Sequence, residues 1–174
     1  LLAQSARRLR ILALLYAFVF FMSNPLTAIL DAQDRALFFE SAIRWAPSTV
    51  SIAMALVVAA LTWNRRIPAA TVLGAGLIFE VIASYGIAAA QYLEVARYVN
   101  EAPWAGLSWV AVWMLGFTMM VPSPPRLALA SAVASASAVP VVVGLALAID
   151  RGPVELPALR FSLEMLPPYA LVVL

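Results

Sequence analysis

The chain has 174 residues, of which 64% are hydrophobic and 11% are charged, and its mean hydropathy is +0.95. Soluble domains run about 45–50% apolar and about 25% charged, so a water-soluble globule is excluded, and so is disorder, which needs charge and few large apolar residues. There is no Cys and no His, and all eleven basic residues are Arg, which removes disulfides, thiolate chemistry, His-ligated metals and haem, Schiff-base lysines and the P-loop lysine.

The pattern predicts an all-α integral membrane protein, because about 20 apolar residues in a helix cross the hydrocarbon core. Six spans are expected in chain order. The first, 11–30, follows Arg7, Arg8 and Arg10; its apolar run is too long for a secretory signal, so it reads as a retained helix. The second covers 45–64, and the third, 67–93, is uncharged except for Glu80. The fourth covers 102–122 and the fifth 127–149. A sixth starts near residue 166 and is still apolar at Leu174, so it reads as truncated there, and a chain beginning with Leu1 is expected to lie inside a longer reading frame.

The segments between these spans divide into two alternating sets. One contains Arg7, Arg8 and Arg10, then Arg65 and Arg66, then Arg126, with no acid. The other contains Asp31, Asp34, Arg35, Glu40 and Arg44, then Glu94, Arg97 and Glu101, then Asp150, Arg151, Glu155, Arg160 and Glu164. Cytoplasmic loops are enriched in Arg and Lys. The expected topology is therefore a six-helix, multi-pass membrane bundle with the N-terminus cytoplasmic and the sixth helix returning the chain to the cytoplasm. No segment is long enough to form a separate soluble domain, so residues 1–174 read as one polytopic domain.

Glu80 is the candidate functional residue, the one formal charge inside a span. An ionised carboxylate at mid-membrane costs at least a few kcal/mol, so Glu80 is expected to be neutral, paired or facing a wet cavity. A proton or cation relay and a protonation sensor are open readings. A hydrogen-bonded glutamate that holds helices together is favoured, with Tyr85, Ser84, Asn24 or a serine of the fifth span as partner, because a single carboxylate makes a poor transport path. Asn24-Pro25 and Pro140 mark places where a helix kinks or frees a carbonyl.

Small residues at four-residue spacing, Ala128, Ala132 and Ala136 together with Ala130, Ala134 and Ala138, predict close helix packing in the fifth span, with Ser131, Ser135 and Ser137 able to bond across. Gly76, in Gly74-Ala75-Gly76, belongs to the same class. Trp45, Trp63 and Trp104 stand at span ends, as interfacial tryptophans do. Trp109 and Trp113, four residues apart, share one helix face and read as packing or as the lining of an apolar pocket. No nucleophile–base pair, metal cluster or phosphate cradle is legible, so no catalytic and no metal-binding residue is expected in this segment.

Two stretches, GLIFEVIASYGIAAAQY (76–92) and SWVAVWMLGFTMMVPSPPRLALASAVASASAVPVVVGLALA (108–148), with LPPYALVVL at the end, resemble the multi-span membrane region that precedes the cytoplasmic kinase domain of certain bacterial serine/threonine protein kinases. The resemblance covers about half the chain and is most specific in the VPxxPR turn and the small-residue helix after it. It implies a non-catalytic anchoring or sensory module that signals to a kinase domain in cis. The kinase motifs themselves are absent, so ATP and Mg would matter only to a domain that follows, and no cofactor is expected here. The remaining partners implied are the lipid bilayer and a second copy or another membrane protein, not nucleic acid. An accessory subunit of a membrane complex, or a small transporter or channel using Glu80, are the competing readings.

Overall fold

The computed structural model describes residues 2–23, 25–64, 66–92, 108–149, 166 and 169–170. Among these residues the secondary structure is all helix, without strands: α1 (Leu2–Ser23), α2 (Pro25–Leu30), α3 (Ala32–Glu40), α4 (Ala42–Trp63), α5 (Ala69–Tyr92), α6 (Trp109–Met120), α7 (Pro125–Ala136) and α8 (Ala138–Ile149). Three helical stretches are long and apolar enough to cross a membrane: Ala42–Trp63, Ala70–Tyr92 and Pro125–Ala146. At 1.5 Å per residue each covers about 33–35 Å, enough for a hydrocarbon core of about 30 Å. This is the build of a membrane protein.

The helix boundaries follow from local chemistry. Asp31 caps α3, its carboxylate accepting from the Gln33 amide at 2.8 Å, and Ser41 ends α3 and caps α4, its hydroxyl accepting from the Ile43 amide at 3.3 Å. The segment from Asp31 to Arg44, expected to be a connecting loop, thus holds a nine-residue helix. Arg44 ties it down through Glu40, at 3.3 Å, and the Leu37 carbonyl, at 3.4 Å. Pro124 and Pro125 open α7, the ring at the first helical position occupying a site whose N–H would have had no partner.

The expected spans and the helices agree in part. The first expected span is carried by α1 and α2, and α1 starts at Leu2, so Arg7, Arg8 and Arg10 stand on the helix itself rather than ahead of it. The second and third correspond to α4 and α5. The fourth is represented by α6, which is apolar but only 12 residues long; residues 102–107 of the expected span lie outside the described residues. The fifth is divided at Ser137 into α7 and α8, three residues before Pro140, whose missing N–H leaves the Ala136 carbonyl without its helical donor. The sixth lies outside the described residues apart from Leu166, Tyr169 and Ala170. Asn24 also lies outside them.

The chain forms two compact units: Leu1–Phe79 with Phe117–Ser123, and Glu80–Gly116 with Pro124–Leu174. In the first, α1 packs along α4. The buried face of α1 is Leu9, Leu12, Ala13, Tyr16, Ala17 and Phe20, a helical i, i+3, i+4 stripe, and that of α4 is the small-residue row Ser48, Ser51, Ala55 and Ala59 with Val58. Tyr16 fixes the register, its hydroxyl bonding Ser51 and its ring meeting Phe79 edge-on at 5.4 Å. The Arg10 guanidinium sits 4.9 Å from the ring centre of Trp63, so the two helices run antiparallel. One end of this unit therefore carries Arg7, Arg8, Arg10 and Arg66, and the other Asp31, Asp34, Arg35 and Glu40.

In the second unit, Ala83, Ile87, Val110, Met114, Ala132, Ala136, Val139 and Val142 are buried, while Leu127, Leu129, Val133, Val141 and Leu145 are exposed. So wide an apolar outer surface is what acyl chains cover.

Candidate functional site

Around Glu80 the second unit gathers polar side chains that an apolar interior would otherwise exclude. Glu80 is 1% exposed, although the eighteen-residue neighbourhood from Gly74 to Gln91 has no other charge. Burying a polar group without a partner costs about 1–3 kcal/mol or more, so the surroundings decide what this residue does.

Its backbone and side chain are engaged separately. The Glu80 carbonyl oxygen accepts from the Ser84 hydroxyl at 2.9 Å and from the Trp113 indole N–H at 3.1 Å. The first bond lies within α5; the second crosses from α6. The carboxyl finds its side-chain partner in Ser131 of α7. Its Oε1 atom has no hydrogen-bond partner, and neither does the hydroxyl of fully buried Ser135, one turn beyond Ser131. Three helices thus meet at one residue, two through hydrogen bonds from side chains and the third through its own fold.

A second polar link lies further along the same pair of helices. The Tyr85 and Ser137 hydroxyl oxygens are 3.0 Å apart. Ser137 commits its single proton to the Ala134 carbonyl at 2.6 Å, so Tyr85 is the donor. Glu80 with Ser131 and Tyr85 with Ser137 advance together along α5 and α7, which makes these helices parallel, as they must be if one helix separates two spans. The pairs form a seam with Ser84 and Ser135 between them.

The other residues singled out by sequence fall in different places. Ala132 and Ala136 are buried and Ala128 half-buried, on the face that also presents Ser131 and Ser135; of the second row, Ala138 is buried, Ala134 half-buried and Ala130 exposed. Gly76 lies in the first unit, where a Cβ would stand 2.8 Å from Leu9 Cδ2. The two tryptophans expected on one face differ sharply: Trp113 is buried and bonded, Trp109 is 58% exposed. Sequence reasoning did not find the Trp113–Glu80 bond. The signal for it was the sum of a lone buried acid and an indole well inside a span, whose N–H needs an acceptor.

Among the described residues there is no cluster of His, Cys, Asp or Glu able to hold a metal ion, and no cofactor site is formed in this segment. What the arrangement can do chemically is hold three helices in one register through a buried carboxyl.

The chain matches no protein-family model, no curated protein and no solved structure. Function must therefore be read from the helices and from this seam.

Proposed function

We propose that the chain is a six-span anchoring and sensory domain of a bacterial inner-membrane protein, with its N-terminus in the cytoplasm, which passes a signal to a serine/threonine kinase domain on the cytoplasmic side. The domain is non-catalytic. Its contribution is a helix packing that a ligand or membrane state biases by binding one arrangement better than another.

The observation that carries the reading is the Glu80 seam. It joins α5, α6 and α7 through few and specific polar bonds, leaves two buried oxygens unpartnered, and lacks a second carboxylate or any basic partner from which a transport path would be built. A junction of this kind holds one register firmly while storing a polar imbalance that another register can relieve. The division of charge between the two ends of the first unit supports the orientation, since the end with Arg7, Arg8, Arg10 and Arg66 has the character of a cytoplasmic face.

The test is the product of the complete reading frame, expressed in membranes. The reading expects ATP-dependent phosphorylation of Ser or Thr on the cytoplasmic side, at a rate that Glu80→Ala changes several-fold and Glu80→Gln changes little. A full-length product without phosphotransfer refutes the kinase assignment. Equal activity in Glu80→Ala and the parent refutes the sensory role of the seam.

A further inference from the structure

One end of the first unit carries four guanidinium ions, one of them laid on a tryptophan. Arg10, half-buried, lies against the indole of Trp63, which is 69% exposed and is the last residue of α4. Arg7 stands one turn before Arg10 on the same face of α1, and both it and Arg8 are exposed. Three residues beyond Trp63, the Arg66 amide donates to the Asn64 side-chain oxygen at 3.1 Å, in a turn closed by the Ile67 amide bonding the Asn64 carbonyl, also at 3.1 Å.

No Asp or Glu occurs in residues 1–30 or 41–79, so the described residues of this unit provide no anion at this end. The acids of the unit stand at the opposite end. Four like charges at one end of the unit repel one another, and the described residues of the unit offer them no counter-ion.

We infer that Arg7, Arg8, Arg10 and Arg66, gathered at the end of the unit where Arg10 lies on Trp63, form a binding site for the headgroup phosphate of an anionic phospholipid. Three features fit that ligand rather than bulk counter-ions. An exposed indole at the end of a membrane helix sits at headgroup depth. A guanidinium laid on an indole keeps its N–H edge free, and that edge matches two phosphate oxygens at once. Arg7, one turn from Arg10 on α1, and Arg66, in the turn that follows Trp63, stand at the same end of the unit, so a phosphodiester held by Arg10 at the indole has further donors at that end from both elements. The site stands independently of the Glu80 seam and of any kinase.

The whole chain, in nanodiscs of phosphatidylcholine with phosphatidylglycerol, provides the test. After detergent extraction and washing, the phospholipid retained is quantified by headgroup. The parent is expected to retain phosphatidylglycerol over phosphatidylcholine, with a preference that falls as NaCl is raised from 20 to 500 mM in roughly steps expected for screened charges. Arg7→Gln, Arg8→Gln and Arg66→Gln combined is expected to lower the preference about a hundredfold, at about fivefold per arginine. Arg35→Gln, at the acid-bearing end, is expected to leave it intact. Equal retention of both lipids by the parent, a preference insensitive to salt, or an unchanged preference in the triple variant overturns the proposal. If the triple variant does not fold, the salt series on the parent decides. Displacement of phosphatidylglycerol by millimolar glycerol phosphate overturns the lipid assignment in favour of a soluble phosphate ester.

Discussion

Replacing Gly76 by Ala places a methyl group against a side chain with nowhere to go. The new Cβ falls 2.8 Å from Leu9 Cδ2 and 3.2 Å from Cδ1, whereas carbon atoms pack comfortably at about 3.5–4.0 Å. Leu9 is completely buried, so relief requires an off-rotamer side chain or a small separation of α5 from α1. Such overpacking costs about 1–3 kcal/mol. The substitution also removes a glycine from a helix, worth about 1 kcal/mol in the other direction. Gly74, two residues earlier, separates the two effects, since a Cβ there meets nothing within 4 Å. Gly74→Ala is therefore expected to stabilise by about 0.5–1 kcal/mol, and Gly76→Ala to fall below it by about 1–3 kcal/mol. Denaturation of the purified chain in mild detergent, followed by circular dichroism, measures both. Leu9→Ala closes the cycle: without the Leu9 methyl groups, Gly76→Ala and Gly74→Ala are expected to have equal effects. A gap that persists in the Leu9→Ala background, or no gap in the parent, would falsify the close α1–α5 approach.

Other consequences concern the Glu80 seam. Glu80→Gln keeps shape and hydrogen-bonding capacity and is expected to change stability by less than about 1 kcal/mol, while Glu80→Ala opens a cavity and leaves Ser131 only its bond to the Ala128 carbonyl, costing about 2–4 kcal/mol; equal losses in the same denaturation assay would contradict the pairing. Ser135→Ala removes a buried hydroxyl that has no partner and is expected to be neutral or stabilising by up to about 1 kcal/mol, whereas a loss above that value would reveal a partner at Ser135. Tyr85→Phe removes the donor to Ser137 and is expected to cost about 0.5–1.5 kcal/mol, and to cost nothing in a Ser137→Ala background.

The helical class and the membrane environment were legible in composition, because an excess of apolar residues and a shortage of charge admit no other solvent. Span positions followed from run length, and α4 and α5 lie within about three residues of their expected limits. Caps and turns were harder. The α3 helix was missed because its nine residues, AQDRALFFE, have neither a clear period nor an apolar run, and Asp31 and Ser41 define its ends through backbone bonds that composition does not register. The division of the fifth expected span at Ser137 needed the Pro140 signal to be converted into a missing bond to a particular carbonyl. Glu80 was legible as an anomaly, a charge where the solvent penalises charge. Its actual partner was one of several serines and tyrosines allowed by the sequence, and only the parallel register of α5 and α7 selects Ser131. The bond from Trp113 depends on the antiparallel helix between them, a relation between distant segments that no local pattern encodes.

The absence of cysteine makes topology directly measurable, because each introduced cysteine is the sole thiol in the chain. Gln4→Cys, Asp34→Cys, Arg66→Cys and Ser123→Cys variants, treated with a membrane-impermeant maleimide in inverted and right-side-out vesicles, report the side of the membrane for each segment. Positions 4, 66 and 123 are expected to label from the cytoplasmic side and position 34 from the opposite side. Labelling of positions 34 and 66 from the same side would contradict the membrane crossing assigned to α4, and with it the alternation of charge on which the orientation rests.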